Sequence, residues 1–251
     1  MKTAMVIGNR SDIAAGLTKH LHADGWRVWG WNRDTPSLKQ YPIDWGLMLI
    51  AVGQVTPVGP WMDQNDDEWE ECVTSNLLVP VRMLRHFWSR RIPDARICFL
   101  AGSNPQKPMA GYSAYNAGKM ALLKVCEQLD FETLDATFFA LAPGYMRTKI
   151  HPEGRDDFAD RGDGMPIERV YECLKWCLKQ PKEVIGGRNI CVADPWDQRE
   201  YDASIPFNMQ DCWEGADKNL AEALKNDPSL YKLRRDERYP LRQPTISDYG
   251  I

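Results

Sequence analysis

Short apolar runs alternate along the chain with longer stretches in which apolar residues recur every three or four positions. Ile13, Leu17 and Leu21 form one such helical face, and the unbroken apolar run at 47–52 is typical of a strand covered on both sides. Strand patterns occur at 3–8, 27–31, 47–52, 96–101, 136–142 and 189–193, and further helical patterns at 66–90, 115–129 and 166–179. This alternation predicts an α/β fold with a doubly wound parallel sheet.

The pattern changes at Trp196. The last 56 residues, 196–251, contain scattered aromatic residues and one helical pattern at 216–225, but no further strand pattern. We therefore predict a single α/β domain at 1–195 and a C-terminal extension at 196–251. The aromatic side chains expected to anchor this extension on the domain or on a neighbouring subunit are Trp196, Tyr201, Phe207 and Trp213.

The composition is that of a folded chain with a small-molecule partner. Hydrophobic residues make up 43% and charged residues 26%, and the formal charge of −4 gives no general attraction to nucleic acid or to anionic membranes. No apolar stretch has the length of a membrane span or the features of an export signal, and the seven cysteines include no Cys-x-x-Cys pair. We expect a cytoplasmic protein with reduced thiols, no metal site, and neither nucleic acid nor membrane as a partner.

The clearest candidate for chemistry is a tyrosine and lysine pair. Tyr115 and Lys119 are four residues apart at the start of a predicted helix, which places their β-carbons about 5 to 6 Å apart on one face. An ammonium this close to a phenol stabilises the phenolate. We therefore predict that Lys119 lowers the pKa of Tyr115 from its ordinary value of about 10, toward the value of a general acid that protonates a carbonyl oxygen.

Three other elements lie where the same reaction would need them. Ser103 follows the strand pattern that ends at Ala101, so its hydroxyl either polarises the carbonyl or belongs to a simple turn. Asn76 lies inside a predicted helix, where asparagine is a poor helix former; its amide either has a task or is solvated. Directly after the strand pattern at 136–142 comes the segment Pro-Gly-Tyr-Met-Arg-Thr, at 143–148.

In this order, these elements resemble the short-chain dehydrogenase/reductase family in its compact, single-domain, Rossmann-like form, over roughly residues 2–193. The resemblance implies that Tyr115 is the catalytic acid/base and that Lys119 also holds the nicotinamide ribose. Ser103 would orient the substrate carbonyl, and Asn76 would hold the water of a proton relay to Lys119. The residues that would flank the nicotinamide are Pro143, Gly144 and Thr148. It also implies a homodimer or homotetramer built partly through the helix of Tyr115.

The first turn resembles the family's glycine-rich phosphate loop, although Gly8 is its only glycine. The residues of this predicted dinucleotide site are Gly8, Asn9, Arg10, Ser11, Asp12 and Ile13. Asp12 would repel a pyrophosphate unless its side chain caps the helix and Arg10 supplies a compensating charge. The place of the family's Asn-Asn-Ala-Gly segment is taken by Ala51, Val52 and Gly53.

The end of the second strand decides between the two nicotinamide dinucleotides. An acidic residue there would bind the ribose hydroxyls of NAD, whereas a basic one would accept the extra phosphate of NADP. The sequence has Asn32 and Arg33, with Arg10 able to approach, and this favours NADP over NAD; Arg33 as a merely solvated charge is the alternative. Only 13 residues, 34–46, connect this strand to the next, so the adenine pocket would be open or rebuilt.

The substrate is expected beside the segment after the fifth strand. Tyr145 and Met146 are predicted to line its pocket together with Ser103, and the glycine-containing polar segment 149–165 is predicted to be a mobile lid. An anionic substrate would use the arginines Arg147, Arg155 and Arg161, unless these are simply solvated. A basic cluster in the extension fits a phosphate-bearing substrate, a subunit contact or a solvated face.

We therefore predict an NADP-dependent oxidoreductase that acts on a small carbonyl or alcohol, run mainly as carbonyl reduction. Two alternatives remain open. One is a dinucleotide-binding sensor or scaffold without turnover, favoured by the changed glycine loop. The other is a sugar-nucleotide epimerase or dehydratase, which can use the same tyrosine and lysine.

Overall fold

The computed structural model describes residues 2–35, 44–102, 109–150, 164–194, 196 and 197. Their strands are β1 Thr3–Ile7, β2 Arg27–Trp31, β3 Trp45–Ile50, β4 Arg91–Leu100, β5 Ala136–Ala142 and β6 Asn189–Cys191. They form one sheet in the order β2-β1-β3-β4-β5-β6, and every neighbouring pair is parallel. The predicted doubly wound parallel sheet is confirmed.

The described helices are α1 Asp12–Ala23, α2 Asp66–Val73, α3 Val79–Phe87, α4 Ser113–Glu132, α5 Ile167–Cys177 and the short α6 Lys182–Ile185. Helices α1 and α5 pack on one face of the sheet, where their apolar side chains share a buried cluster with β1, β3, β4 and β5. Helices α2 and α4 pack against each other on the other face. Both faces of the sheet are therefore covered, which explains the continuous apolar runs of its central strands.

Most predicted elements are present, with shifted ends. β4 begins at Arg91, five residues before the predicted start, because its first residues extend along Trp45 before a register shift in the β3–β4 pair. Asp94, in this early part of β4, has a left-handed backbone with φ of 59°. Helix α6 was not predicted, since its four residues are too few for a helical period to show.

The predicted continuous helix at 66–90 is wrong in one respect. Between α2 and α3 lies a π-helical turn, Thr74–Leu78, and a short 3₁₀ turn follows α3. Pro80 has no N–H with which to bond the carbonyl of Asn76 four residues earlier, so the α-helical hydrogen-bond ladder is broken here. Single π turns are frequent at functional sites, and this one carries Asn76.

The topology creates a crevice at the carboxyl ends of β1 and β3. From β1 the chain passes to β2 at one edge and then returns to β3 on the opposite side of β1, so the loops that follow β1 and β3 diverge at this point. Such switch points are the usual ligand sites of open parallel sheets. The loops that meet here begin at Gly8 and Ala51, and the Ala51 N–H donates to the Ile7 carbonyl at 2.8 Å.

Trp196 is buried against α5. Its ring lies 5.6 Å from that of Trp176, and the Arg169 guanidinium lies 5.3 Å from its centroid. The predicted helix at 216–225, and the extension beyond residue 197, lie outside the described residues. Among the helices that the structure describes, none has both the length and the apolar character required to span a bilayer.

Candidate active site

Three segments meet at the carboxyl end of β3 in contact so close that only glycine fits. A Cβ added to Gly53 would lie 2.6 Å from Asn76 Oδ1 and 3.1 Å from Lys119 Nζ. The loop after β3, the π-helical turn and α4 therefore converge on this point. The structure thus brings together three of the predicted site residues: Gly53, Asn76 and Lys119.

Asn76 is fully buried and only partly hydrogen-bonded. Its Nδ2 donates to the backbone carbonyls of Gln54 at 2.7 Å and Cys72 at 2.9 Å. Its Oδ1 has no hydrogen-bond partner among the residues that the structure describes. The two bonds of Nδ2 hold the side chain in place. The unpaired Oδ1 costs about 1 to 3 kcal/mol of stability, and it leaves a free acceptor in the site. The alternative of a solvated Asn76 is wrong.

Gly118 allows α4 to approach the π-helical turn, and the sequence analysis did not identify it. A Cβ on Gly118 would lie 2.8 Å from the Cβ of Asn76, too close for any side chain without movement of the backbone. Glycine inside a helix lowers its stability by about 1 kcal/mol relative to alanine. A glycine directly before Lys119 therefore indicated, from the sequence alone, a close contact at this position.

Tyr115 and Lys119 lie on the same face of α4, as their spacing predicts. The Lys119 Nζ is 5.9 Å from the centroid of the Tyr115 ring and donates to the Leu100 carbonyl, at the end of β4, at 2.9 Å. Lys119 is buried, whereas Tyr115 retains partial exposure at the cleft. The pair therefore lies between the carboxyl end of β4 and the π-helical turn.

The pKa of Tyr115 is shifted in the direction opposite to the prediction. Burial raises the pKa of Tyr115 to about 12, and burial lowers the pKa of Lys119 to about 8. Desolvation penalises the charged form of both groups, and at this site it outweighs the attraction between ammonium and phenolate. Tyr115 is therefore fully protonated at neutral pH, while Lys119 is still mostly charged.

Cys72 is a further buried group that the sequence analysis did not place in the site. Its Sγ lies 3.5 Å from the Gln54 carbonyl and 3.4 Å from Asn76 Nδ2. Burial raises the pKa of its thiol to about 11. The thiol is thus protonated at neutral pH and is not a nucleophile; it packs one helical turn before Asn76.

The N-terminal end of α4 is held by a polar network, which was also not predicted. Ser113 Oγ donates to Gln64 Oε1 at 3.0 Å and accepts from Trp69 Nε1 at 3.0 Å. Gln64 Nε2 donates to the Gly59 carbonyl at 2.6 Å. Because Ser113 lies two residues before Tyr115, this network fixes the helical turn that carries the phenol.

Ser103 lies outside the described residues, so its role stays a prediction. The strand end that leads to it is described: the Ala101 N–H donates to the Leu141 carbonyl at 3.0 Å. The buried Asn189, at the start of β6, places its Nδ2 3.5 Å from the Gly102 carbonyl.

The first turn is tightly packed between three strands. Gly8 has a φ of 79°, and a Cβ there would lie 2.9 Å from the backbone carbonyl of Ala51. The N–H groups of Gly8 and Asn9 donate to the Trp31 carbonyl at 2.8 and 3.3 Å. Only glycine tolerates both the left-handed backbone and this approach, so Gly8 retains the role of the first loop glycine.

The charges of this turn are paired differently from the prediction. Ser11, not Asp12, caps α1, because its Oγ accepts from the Ala14 N–H at 3.2 Å. Arg10 forms an ion pair with Asp34 and so does not compensate Asp12. The cation beside Asp12 is Lys149, whose Nζ lies 3.3 Å from Asp12 Oδ1. The sequence could not identify Lys149 because it is 137 residues away along the chain.

The end of β2 contains an acidic residue that the prediction missed. Asn32 Nδ2 donates to Asn9 Oδ1 at 2.9 Å, and Asn32 Oδ1 accepts from the Asp34 N–H at 2.9 Å. Arg33 is exposed and makes no ion pair within the described part of the chain, while the exposed Asp34 pairs with Arg10. Asp34 directly follows Arg33 in the sequence, so this acidic residue was recognisable from the sequence alone.

The segment after β5 is closed at its base by a short antiparallel bridge. Met146 pairs with Gly164, and the Met165 N–H donates to the Tyr145 carbonyl at 2.7 Å. Gly144 has a left-handed φ of 82°, directly after the buried Pro143. Met146 packs against the core, and Arg147 is exposed. Residues 151–163 of the predicted lid at 149–165, with Arg155 and Arg161, lie outside the described residues, so the lid stays a prediction.

The described residues fit a nicotinamide dinucleotide. The left-handed Gly8 and the N-terminus of α1 form an anion site at the switch point, and Asn76 Oδ1 is a free acceptor beside Lys119. The acidic Asp12 and Asp34 are both paired with cations, so neither presents an uncompensated charge to a phosphate.

Comparison with protein-family models supports this interpretation. A model described as short chain dehydrogenase matches residues 43–158. The matched segment contains Gly53, Asn76, Ser103, Tyr115 and Lys119, whereas the first turn and β2 precede it. No curated protein matches the chain.

Solved structures of similar fold cover most of this chain. A small-chain dehydrogenase in complex with NADPH has 16% identity over 76% of this chain and 95% of its own, with a TM-score of 0.65. A short chain dehydrogenase from Shigella flexneri 2a, complexed with NADP, has 14% identity over 77% of this chain and 97% of its own, with a TM-score of 0.67. A dehydrogenase/reductase from Sinorhizobium meliloti 1021 has 18% identity, coverages of 76% and 92%, and a TM-score of 0.63. At these identities the likeness establishes the fold alone.

Proposed function

We propose that this chain is an NAD(P)-dependent oxidoreductase of the short-chain dehydrogenase/reductase family, whose model matches residues 43–158, and that it transfers hydride between NADP and the carbonyl or alcohol carbon of a small molecule. The observation that carries this proposal is the convergence of Tyr115, Lys119 and Asn76 at the carboxyl end of the sheet. A tyrosine and a lysine on a helix surface would be solvated, whereas this lysine is buried beside an asparagine with a free acceptor.

In the proposed reaction Tyr115 is the acid. The reduced nicotinamide, when bound, supplies hydride to a carbonyl carbon. Tyr115 holds the proton that the carbonyl oxygen needs, because burial raises its pKa to about 12 and keeps it protonated at neutral pH. The phenolate required for alcohol oxidation is scarce at this pH. The site is therefore better suited to carbonyl reduction than to the reverse reaction.

Lys119 and Asn76 resupply the proton in this proposal. Lys119 uses one N–H on the Leu100 carbonyl and has two more donors, which are available to ribose hydroxyls or to water. Asn76 Oδ1 is free to accept a hydrogen bond from a relay water. The close approach at Gly53 keeps both groups next to each other. Ser103 would orient the carbonyl, with Tyr145 and Met146 on the substrate side.

We assign cofactor binding to both sides of the crevice. Residues 8–13 would hold the phosphates, Ala51, Val52 and Gly53 would lie beneath the dinucleotide, and Pro143, Gly144 and Thr148 would flank the nicotinamide. Asn32 would lie near the adenine ribose. Arg33, exposed at the end of β2, is proposed to bind the extra phosphate of NADP. An unpaired carboxylate near this position would favour NAD, but the carboxylate of Asp34 is neutralised by its ion pair with Arg10.

The assembly is proposed to be a homodimer or homotetramer in the cytoplasm. Support for the assembly comes from the C-terminal part of α4, where Phe131 is 76% exposed and the nearby Leu134 is 91% exposed. Exposed apolar side chains that lie close together are typical of contact surfaces when they form a contiguous patch. Light scattering on the purified protein measures the oligomeric state directly.

The cofactor proposal is tested by titrating the protein with NADPH and NADH while nicotinamide fluorescence is followed. We expect NADPH to bind more tightly, and Arg33→Ala to weaken NADPH by about tenfold with little effect on NADH. Arg90→Ala is the matched control, because Arg90 is also exposed but lies away from the crevice. An equal loss for both dinucleotides would show that Arg33 does not read the extra phosphate.

Turnover is tested with a panel of aldehydes and ketones and NADPH consumption as the readout. Oxidation of NADPH by at least one carbonyl supports the proposed enzyme. Tight dinucleotide binding with no turnover across a broad panel would instead favour the sensor or scaffold. A response to sugar nucleotides without net NADPH consumption would favour the epimerase.

A further inference from the structure

Lys149 joins the two walls of the crevice through three contacts. Its backbone N–H donates to Asp12 Oδ2 at 2.9 Å, and its Nζ lies 3.3 Å from Asp12 Oδ1. The same Nζ donates to the Arg10 carbonyl at 2.6 Å. Lys149 follows directly after Thr148, so these contacts connect the segment after β5 to the first turn of α1.

If the first turn of α1 binds phosphate, the negative charge of Asp12 must be compensated by a contact with a cation such as Lys149. Asp12 is the first residue of α1, where the helix dipole and the free N–H groups favour a negative charge. A carboxylate in that position competes with an incoming phosphate for the same favourable field. The hydrogen bond from the Lys149 N–H lowers the pKa of Asp12, so the carboxylate is ionised at neutral pH.

No other described cation compensates Asp12 by direct contact. Arg10, in the same turn, is paired with Asp34 on the opposite side. Ser11 uses its hydroxyl to cap the helix. Lys149 therefore supplies both the positive charge and the backbone donor that hold Asp12.

We propose that Lys149 is a positioning residue for dinucleotide binding, which neutralises and holds Asp12 so that the N-terminus of α1 accepts a pyrophosphate. The inference rests on the proposed dinucleotide function and deepens it. It explains how a turn with an aspartate in place of a glycine can serve as a phosphate site. Lys149 acts through Asp12, so its importance depends on the aspartate being charged.

The test is a double-mutant cycle on NADPH affinity, measured by nicotinamide fluorescence at low ionic strength. We expect Lys149→Met to weaken NADPH by about five- to tenfold, because the ionised Asp12 is left uncompensated beside the phosphates. Asp12→Asn should bind NADPH at least as tightly as the unaltered chain. In the Asp12→Asn background, Lys149→Met should change affinity by less than about twofold.

Two controls separate this role from a structural one. Lys124→Met removes an exposed lysine paired with Glu127 at 2.8 Å, and NADPH affinity should stay within about twofold. Lys149→Arg keeps the charge and should restore most of the affinity lost in Lys149→Met. Thermal unfolding of each variant without NADPH should differ little, since exposed ion pairs contribute little to stability.

The outcomes distinguish the two proposals. Absence of NADPH and NADH binding by the unaltered chain would overturn the proposed function and this inference with it. Normal binding that Lys149→Met leaves unchanged would overturn the inference alone. An equal weakening by Lys149→Met with and without Asp12→Asn would also overturn it, because Lys149 would then act on the phosphates directly or on the fold.

Discussion

The two ends of helix α4 are each held by a lysine, and the two lysines have different surroundings. Near the C-terminal end, Lys182 Nζ donates to Asp130 Oδ1 at 2.7 Å and to the carbonyls of Asp130, Thr133 and Ala136 at 2.8, 2.9 and 2.8 Å. Near the N-terminal end, the more deeply buried Lys119 has one oxygen partner among the described residues, the Leu100 carbonyl.

The difference separates a stabilising site from a reactive one. At Lys182 every donor of the ammonium is used and the helix carbonyls it contacts are satisfied, as expected where a cation stabilises a helix C-terminus. At Lys119 donors are left over, and the neighbouring Asn76 has a free acceptor. Buried polar groups with unused hydrogen-bond donors or acceptors lower the stability of the fold. Such groups are expected at functional sites, where the unused donors and acceptors bind a ligand or substrate.

The largest expected effect is on turnover, at the N-terminal end. Tyr115→Phe removes the proton that the carbonyl oxygen needs, and we expect turnover with NADPH to fall by about 10² to 10⁴-fold while NADPH affinity changes little. Tyr171→Phe is the matched control. Tyr171 lies on α5 and its hydroxyl donates to Asp24 Oδ2 at 2.8 Å, so loss of this hydroxyl should leave turnover intact. Comparable turnover in Tyr115→Phe would remove Tyr115 from the mechanism.

The next effect is on stability, at the C-terminal end. Lys182→Met leaves Asp130, which is largely buried, without its cation and removes the ammonium that donates to three carbonyls. We expect the free energy of unfolding to fall by about 2 to 4 kcal/mol, measured by urea denaturation, because breaking a buried pair is strongly destabilising. The exposed Lys179→Met should stay within about 0.5 kcal/mol of the unaltered chain. A similar result for both variants would show that the contacts of Lys182 do not stabilise the C-terminal end of α4.

The smallest effect has the opposite sign. Because burial lowers the pKa of Lys119 to about 8, the folded state holds this proton less tightly than the unfolded state. The penalty is full below pH 8 and disappears as the pH approaches the unfolded lysine value of about 10.4. Lys119→Met should therefore raise the free energy of unfolding at pH 7 by about 1 to 3 kcal/mol, after loss of the bond to Leu100, while abolishing turnover.

The pH dependence checks this explanation of Lys119→Met. Its gain in stability over the unaltered chain should shrink between pH 8 and about 10.4, in urea denaturation series at several pH values without dinucleotide. A loss of stability at pH 7 would show that Lys119 is stabilising in the folded chain, like Lys182, and would end the distinction between the two ends of α4.

Local patterns were sufficient for much of the fold and for part of the site. Strand and helix periods depend on neighbours two to four residues apart, so the parallel sheet and the shared face of Tyr115 and Lys119 followed from spacing alone. Two further residues also indicated structure from the sequence alone: Pro80 indicated the break in the helix, and Gly118 indicated the close contact of α4 with Asn76. Both residues were present in the sequence but were not interpreted.

What the sequence by itself determined was therefore the order of the elements, the parallel sheet and the candidate residues at its carboxyl edge. Only the tertiary structure decided the pKa directions of Tyr115 and Lys119, the pairing of Arg10 with Asp34, and the contact of Lys149 with Asp12. The physical reason is that desolvation and charge pairing depend on which distant segments meet. Helical and strand periods, in contrast, are properties of consecutive residues.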